Sequence, residues 1–312
     1  MKSNLLGGDI SDFASILVCG NNEVGKASED LSAVIGKNNW CFIYRGSNDY
    51  RGGYLSEDVN QLGQRWVTLV ENRHSICAKL GAEFLQLIVP NKLSILPDCF
   101  PEVLNSEVTF ILQNYLTSHL SQTALIPLKE FREKSVRDAV FRRNDSHLTV
   151  GGNALLAELI LEKLGFGEKK FETVVIGYTQ HKGDLGGKFS PPIEEKLAAP
   201  SFSKGLLDQK NIEKVREVIN PSFNGTSQVF LNRNAPIKAK LIVFGNSFFE
   251  RVPSWGLSPF FASIFEEFHF IWSSDVDFKY IARERPDYVI AQTCERFMSK
   301  LPSDRYEGLV LD

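Results

Sequence analysis

Asp145-Ser146-His147 and, about a hundred residues later, Gly245-Asn246-Ser247 are the residues of this chain whose types and spacing could do covalent chemistry. A serine hydroxyl is a poor nucleophile until an imidazole takes its proton. The imidazole in turn needs a carboxylate to fix its tautomer and orientation. Together the two pieces hold the parts of a serine acyl-transfer site. Taken singly, each also suits a plainer role, the Asp-x-His as a helix cap with a surface imidazole and the Gly-Asn-Ser as a turn. The elements around them decide between these readings.

Lys238-Ala-Lys-Leu-Ile-Val-Phe244 runs from a charged start into an unbroken apolar stretch, the pattern of a buried parallel strand, and it stops at Gly245. Ser247 therefore falls at the carboxyl end of a strand, where open α/β sheets bind their ligands. Asp138–Phe141 precedes the Asp-x-His as a candidate strand, and 154–164 follows it as a helix with a Gly165 stop, so Asp145 and His147 are expected at a strand-to-helix turn. Alternation along that turn puts Asp145 and His147 on one side and Ser146 on the other. Further strands are expected at 40–44, 84–89, 171–178, 267–272 and 287–293, and further helices around 57–80, 107–120, 210–219 and 276–284. Strands alternating with helices predict an α/β fold, three-layered with a mostly parallel sheet. The aromatic run Phe248, Phe249, Trp255, Phe260, Phe261 and Phe265 reads as core.

Six motifs in order resemble those of the SGNH-hydrolase-like alginate O-acetyltransferases and their relatives in exopolysaccharide biosynthesis, from about Lys37 to about Met298. They are Asn39-Trp40-Cys41-Phe42, Val89-Pro90-Asn91-Lys92, Asp145-Ser146-His147, Gly183-Asp184-Leu185, Phe244-Gly245-Asn246-Ser247-Phe248, and Arg285-Pro286-Asp287-Tyr288 with Glu295-Arg296-Phe297. Two departures stand out. Asn246 replaces an Asp beside the nucleophile, and Leu148 replaces a Trp after the His. The resemblance implies an SGNH-like, flavodoxin-like domain over 37–305 behind an N-terminal extension, 1–36, of unclear structure. It implies Ser247 as nucleophile, His147 as general base and Asp145 as the orienting carboxylate. The reaction implied is O-acetylation of a glycan, taking a glycan acceptor and an acyl donor, with polysaccharide-biosynthesis proteins as partners. A carbohydrate esterase or deacetylase, or a non-catalytic glycan-binding or assembly protein, remains the alternative.

The Ser247 backbone N–H is the natural first oxyanion donor, with Asn246, Arg251 and Gln292 as candidates by type for a second. Arg142 and Arg143 could hold Asp145 ionised or bind an anionic substrate. Tyr50, in an aromatic and polar stretch after the first predicted strand, suits sugar recognition. Residues 179–237 read as an irregular excursion, either a lid or substrate rim or a surface loop. Of the other histidines, His181 lies in the Gly-rich excursion and could approach the site, but reads rather as an exposed loop residue, and His269 reads as a strand position packed at an edge.

A net charge of −3 gives no electrostatic case for nucleic acid or an anionic membrane surface. Five cysteines without a C-x-x-C pair suggest neither a disulfide framework nor a zinc site. The histidine spacings suggest no metal, and no cofactor is expected. The first residues lack the apolar core of a secretory signal, which points to the cytoplasm, whereas the resemblance points outside it.

Overall fold

The computed structural model describes residues 10, 14–17, 22–46, 59–102, 116, 118–120, 122–168, 171, 174–201, 211–249 and 256–304. Its strands are β1 (Ile16–Leu17), β2 (Ala33–Ile35), β3 (Cys41–Ile43), β4 (Glu83–Val89), β5 (Ala124–Leu125), β6 (Val174–His181), β7 (Glu195–Ser201), β8 (Glu213–Val218), β9 (Ser227–Leu231), β10 (Ile237–Gly245), β11 (Phe265–Trp272) and β12 (Tyr288–Cys294). The helices are α1 (Val59–Lys79), α2 (Lys92–Ile95), α3 (Leu128–Arg132), α4 (Arg137–Val140), α5 (Val150–Lys163), α6 (Ser258–Ile264) and α7 (Phe278–Glu284).

The result is a mixed α/β fold around a central sheet with strand order β5-β4-β12-β10-β11-β9-β8. The first five run parallel, and β9 and β8 extend the sheet antiparallel. The apolar run of β10 explains its place between β12 and β11, since a strand paired on both edges and covered on both faces must be apolar throughout. Adjacent residues of β11 meet different helices: Phe268 lies against Phe261 of α6, and His269 lies against Tyr280 of α7. Phe249, Phe261, Phe268 and Phe270 form one buried aromatic cluster beneath the end of β10, so the aromatic run after Ser247 is core where it is described. Trp255 lies outside the described residues.

Several expectations change. Residues 210–219, expected as a helix, contain β8. Its six residues are all exposed, so no buried stripe separates the helical period from the strand period, and pairing with β9 decides. The strand expected at 171–178 appears as β6, in a separate antiparallel sheet of order β1-β7-β6 outside the central one. The stretch 179–237 thus carries β7, β8 and β9. Residues 138–141 are not a strand: α4 ends at Val140, and Phe141 bridges Leu148 across a narrow hairpin. The strand near 40–44 pairs only with β2, which lies within the expected extension. Of the helix expected at 107–120, only 116 and 118–120 are described.

Candidate active site

The hairpin loop 142–147 is tied at its base by hydrogen bonds from Arg142 N–H to the His147 carbonyl (3.1 Å) and from Thr149 N–H to the Val140 carbonyl (2.9 Å). Thr149 then caps α5, its hydroxyl accepting the Gly152 N–H at 3.0 Å, which places His147 two residues before the helix cap. Three polar side chains far away in sequence, Glu195, Asp184 and Lys92, hold the loop from outside, and Asn144 of the loop reaches outward in turn. The buried Glu195 carboxylate accepts the N–H groups of Arg143 (2.7 Å) and Asn144 (3.2 Å). Asn144 donates its side-chain amide to the carbonyls of His181 (3.0 Å) and Ile193 (2.8 Å). Asp184 accepts the Ser146 N–H (2.7 Å) and hydroxyl (2.5 Å). Lys92, buried, donates to the carbonyls of Cys41 (2.9 Å), Arg143 (3.0 Å) and Asp145 (2.7 Å). Burial pushes the Lys92 ammonium down to about 8, against the opposing pull of the Glu195, Asp145 and Asp184 carboxylates.

Inside this frame Asp145 Oδ1 accepts both the His147 N–H (2.9 Å) and His147 Nδ1 (2.7 Å). On the far side of the ring, His147 Nε2 lies 2.8 Å from Ser247 Oγ. Burial alone would raise the Asp145 carboxyl, but hydrogen bonds from His147 and His181 and the Arg142 charge hold it well below the usual carboxylate range. An ionised Asp145 can only accept, so Nδ1 carries the imidazole proton and Nε2 is left to accept from the serine hydroxyl. Phe248 packs against the His147 ring at 5.3 Å between centroids. The three residues named from sequence are therefore joined in one hydrogen-bonded chain, and the Ser146 hydroxyl is held by Asp184, whose Oδ2 also lies 3.8 Å from His147 Nδ1.

The nucleophile turn is built from β10 onward. Asn246 donates its N–H to Gln292 Oε1 (2.9 Å), and its own Oδ1 accepts the Phe248 N–H (3.2 Å). This Asx turn needs only a side-chain oxygen, so Asn serves where the resembling sequences have Asp. At Gly245 an added Cβ would lie 2.8 Å from Gln292 Oε1, so glycine leaves the room in which that amide meets the turn. Gln292 is buried, and its Nε2 has no hydrogen-bond partner. Leu148, in place of Trp, is fully buried and lines no open surface. Arg143, expected to contact substrate, donates to the Asn38 carbonyl at 2.5 Å and lies 4.5 Å over the Trp40 ring. Arg142 contacts Asp145 Oδ2 at 3.4 Å, in the role of holding that carboxylate ionised. Tyr50 and Arg251 lie outside the described residues.

Lys92, Glu195, Asn144 and His181 were not assigned to the site from sequence. His181 corrects the reading of an exposed loop residue: its Nε2 lies 2.7 Å from Asp145 Oδ2. Its place beside Gly183-Asp184-Leu185 was the one signal available. His269 is also corrected. It is buried on an interior strand between Glu267 (2.7 Å) and the Tyr280 hydroxyl (2.9 Å).

Among the described residues two carboxylate and imidazole groups have the reach of a metal site. In the first, Asp145 and His147 belong to the hydrogen-bonded chain and Asp184 to the frame that holds Ser146, and in the cluster of Glu267, His269 and Glu284 the Lys240 ammonium already lies 2.9 Å and 3.9 Å from the two carboxylates. Burial pushes the Cys41 and Cys77 thiols up to about 12 and raises Cys99 and Cys294, so none of these competes with Ser247 as nucleophile. A cavity of about 520 Å³ opens beside the turn, with Asn246 and Gln292 on one wall and Trp272, Arg296 and Phe297 on others. That volume is within the ordinary range for small-molecule sites. No helix among the described residues is long and apolar enough to cross a membrane.

Gly183 sits at φ +64°, and a Cβ there would lie 2.2 Å from the Asn144 carbonyl oxygen. Gly183→Ala should therefore displace the loop that presents Asp145. We expect a stability loss of about 2 kcal/mol or more, read by urea unfolding, together with reduced reactivity of Ser247. Unchanged stability and reactivity would show that the turn has slack.

The whole fold is similar to the O-acetyltransferase domain of Pseudomonas putida AlgJ, with a TM-score of 0.58 and 16% identity, covering 89% of this chain and 96% of that one. Bacillus cereus PatB1, solved with a sulfonyl adduct, gives a TM-score of 0.58 at 14% identity, covering 87% and 99% of the two chains. Pseudomonas aeruginosa AlgX gives 0.53 at 14% identity, covering 86% of this chain and 63% of that one. No model of a known protein family matches the sequence, and no curated protein does. The resemblance expected from the motifs holds at the level of the fold.

Proposed function

We propose that this protein is a serine acyltransferase that O-acetylates a glycan. The observation that carries the reading is the unbroken chain from Asp145 through both nitrogens of His147 to Ser247 Oγ. In the first half-reaction Ser247 Oγ attacks the donor's acyl carbonyl while its proton passes to His147 Nε2. The imidazolium, stabilised by Asp145, then returns that proton to the leaving group, which departs as the acyl-oxygen bond to Ser247 completes. In the second, a sugar hydroxyl loses its proton to His147 and attacks the acyl-serine carbonyl. Ser247 Oγ leaves and recovers the proton.

Charge develops on the acyl oxygen in both halves. Among the described residues the Ser247 N–H, at the first position of a short 3-10 turn, carries no hydrogen bond, and Gln292 Nε2 is the nearby orphaned donor. We assign the Ser247 N–H as the first oxyanion donor, with Gln292 as the candidate for the second once a small shift bares its buried Nε2. The cavity beside Asn246 suits a carbohydrate, since Trp272 and Phe297 offer flat apolar faces and Arg296 offers donors. Support for acetyl as the group comes from the fold, which is similar to that of the O-acetyltransferase domain of AlgJ, and support for a polysaccharide acceptor comes from the motif resemblance. The catalytic unit is taken as 37–305, buttressed by the β2–β3 hairpin.

Incubation with p-nitrophenyl acetate, with and without acceptor oligosaccharides, tests the proposal. Acetylated sugar formed faster than free acetate is the expected result. Acetate alone would make the protein an esterase, and no turnover by the folded protein would leave a glycan-binding module.

A further inference from the structure

We propose that His181 is a positioning residue of this site, the second imidazole on the Asp145 carboxylate. The inference rests on reading Ser247, His147 and Asp145 as the reacting set. Asp145 divides its two oxygens between two duties. Oδ1 takes both N–H groups of His147, and Oδ2 takes His181 Nε2 at 2.7 Å with Arg142 further off at 3.4 Å. The shorter bond is the stronger constraint. A carboxylate held through one oxygen can still swing about its Cβ–Cγ bond. Held through both, it keeps Oδ1 in line with His147 Nδ1 while the proton moves between Ser247 and His147.

The placement of His181 is itself heavily determined. It is the last residue of β6, in register with Glu195 of β7, the residue that accepts the Arg143 and Asn144 N–H groups of the Asp145 loop. Its carbonyl accepts the Asn144 amide, and three residues on Asp184 closes onto Ser146. The β1-β7-β6 sheet therefore grips the hairpin loop on either side of Asp145 and inserts one imidazole toward it. A half-buried histidine with no purpose at the site would turn its ring to water, and this one gives its Nε2 to a buried carboxylate.

Asp145 is ionised and can only accept, so His181 donates from Nε2 and fixes the direction of Oδ2.

His181→Phe keeps the ring and removes the donor, while His181→Gln keeps a side-chain N–H. We expect the Phe variant to lose roughly 10- to 100-fold in kcat for p-nitrophenyl acetate with KM unchanged, the scale seen when a residue orients a reacting group through another. The Gln variant should recover most of that loss. The downfield proton resonance of the Asp145–His147 hydrogen bond should shift in the Phe variant and return toward wild type in the Gln variant, and this readout needs no turnover, so it stands even if the acyl-transfer reading fails. Should the Phe variant not fold, His181→Leu takes its place. Wild-type kcat, or an unmoved resonance, in a folded variant that lacks the donor would overturn the proposal.

Discussion

Ser247→Ala should abolish covalent labelling by a fluorophosphonate and lower turnover by on the order of 10⁶-fold, the scale on which a lone nucleophile knockout acts in a serine triad. The substitution removes one half-exposed oxygen and one hydrogen bond, that to His147 Nε2. Its effect on unfolding should therefore stay within about 1 kcal/mol. Among the described residues no thiol near the site can take over the attack, because burial keeps Cys41 and Cys294 protonated. The loss should thus be complete in labelling and small in stability. Stoichiometric labelling that survives in the variant would place the nucleophile elsewhere and sink the assignment.

Asp145→Asn carries the second large effect. An amide cannot accept with both atoms, so one of the donors to Asp145, among them His147, His181 and Arg142, faces an N–H₂. If Asn meets His147 Nδ1 with its nitrogen, the imidazole proton moves to Nε2 and the ring can no longer accept from Ser247. A fall of about 10⁴-fold in kcat is expected. The same variant should reshape acid stability. The native Asp145 carboxyl lies below its unfolded value, so the stability it contributes is fully present above that unfolded value and is lost as pH falls through the folded one. Urea unfolding at pH 6 and at pH 3 should show a smaller acid loss in the Asn variant than in wild type. Equal acid losses in the two proteins would mean that Asp145 titrates normally.

The parts of this site that local pattern encodes were legible in the sequence. Leu241–Phe244 could only be an interior strand, so the turn that follows had to lie at a sheet end, and the leucine period after His147 had to be a helix. The Asp-x-His spacing put both side chains on one side of a short loop. What local pattern could not show is pairing. β6 and β7 carry little continuous apolar signal, with Tyr178 exposed and lysine and glutamate at the start of β7, so their sheet depends on partners distant in the chain. Charges at 213, 214, 216 and 217 fit a helix and a strand equally well when every residue faces solvent. His181 and Glu195 reach the site only through that sheet, which is why their types gave no warning of their position.

Lys92 has a consequence for how the molecule reaches its active form. Its ammonium joins the Cys41, Arg143 and Asp145 carbonyls, groups about fifty residues away along the chain on either side. A charge so deeply buried is costly unless all its acceptors are present, and each acceptor belongs to a segment that cannot hold its own shape. The β2–β3 hairpin, the start of α2 and the Asp145 loop must therefore condense in one event. Reactivity should then report completion of the whole fold: labelling of Ser247 and far-UV circular dichroism should be lost at the same urea concentration. An earlier loss of labelling would reveal a site that melts ahead of its scaffold. If the two coincide, no partly folded chain carries a working serine, and the acyl chemistry is confined to molecules that have finished folding.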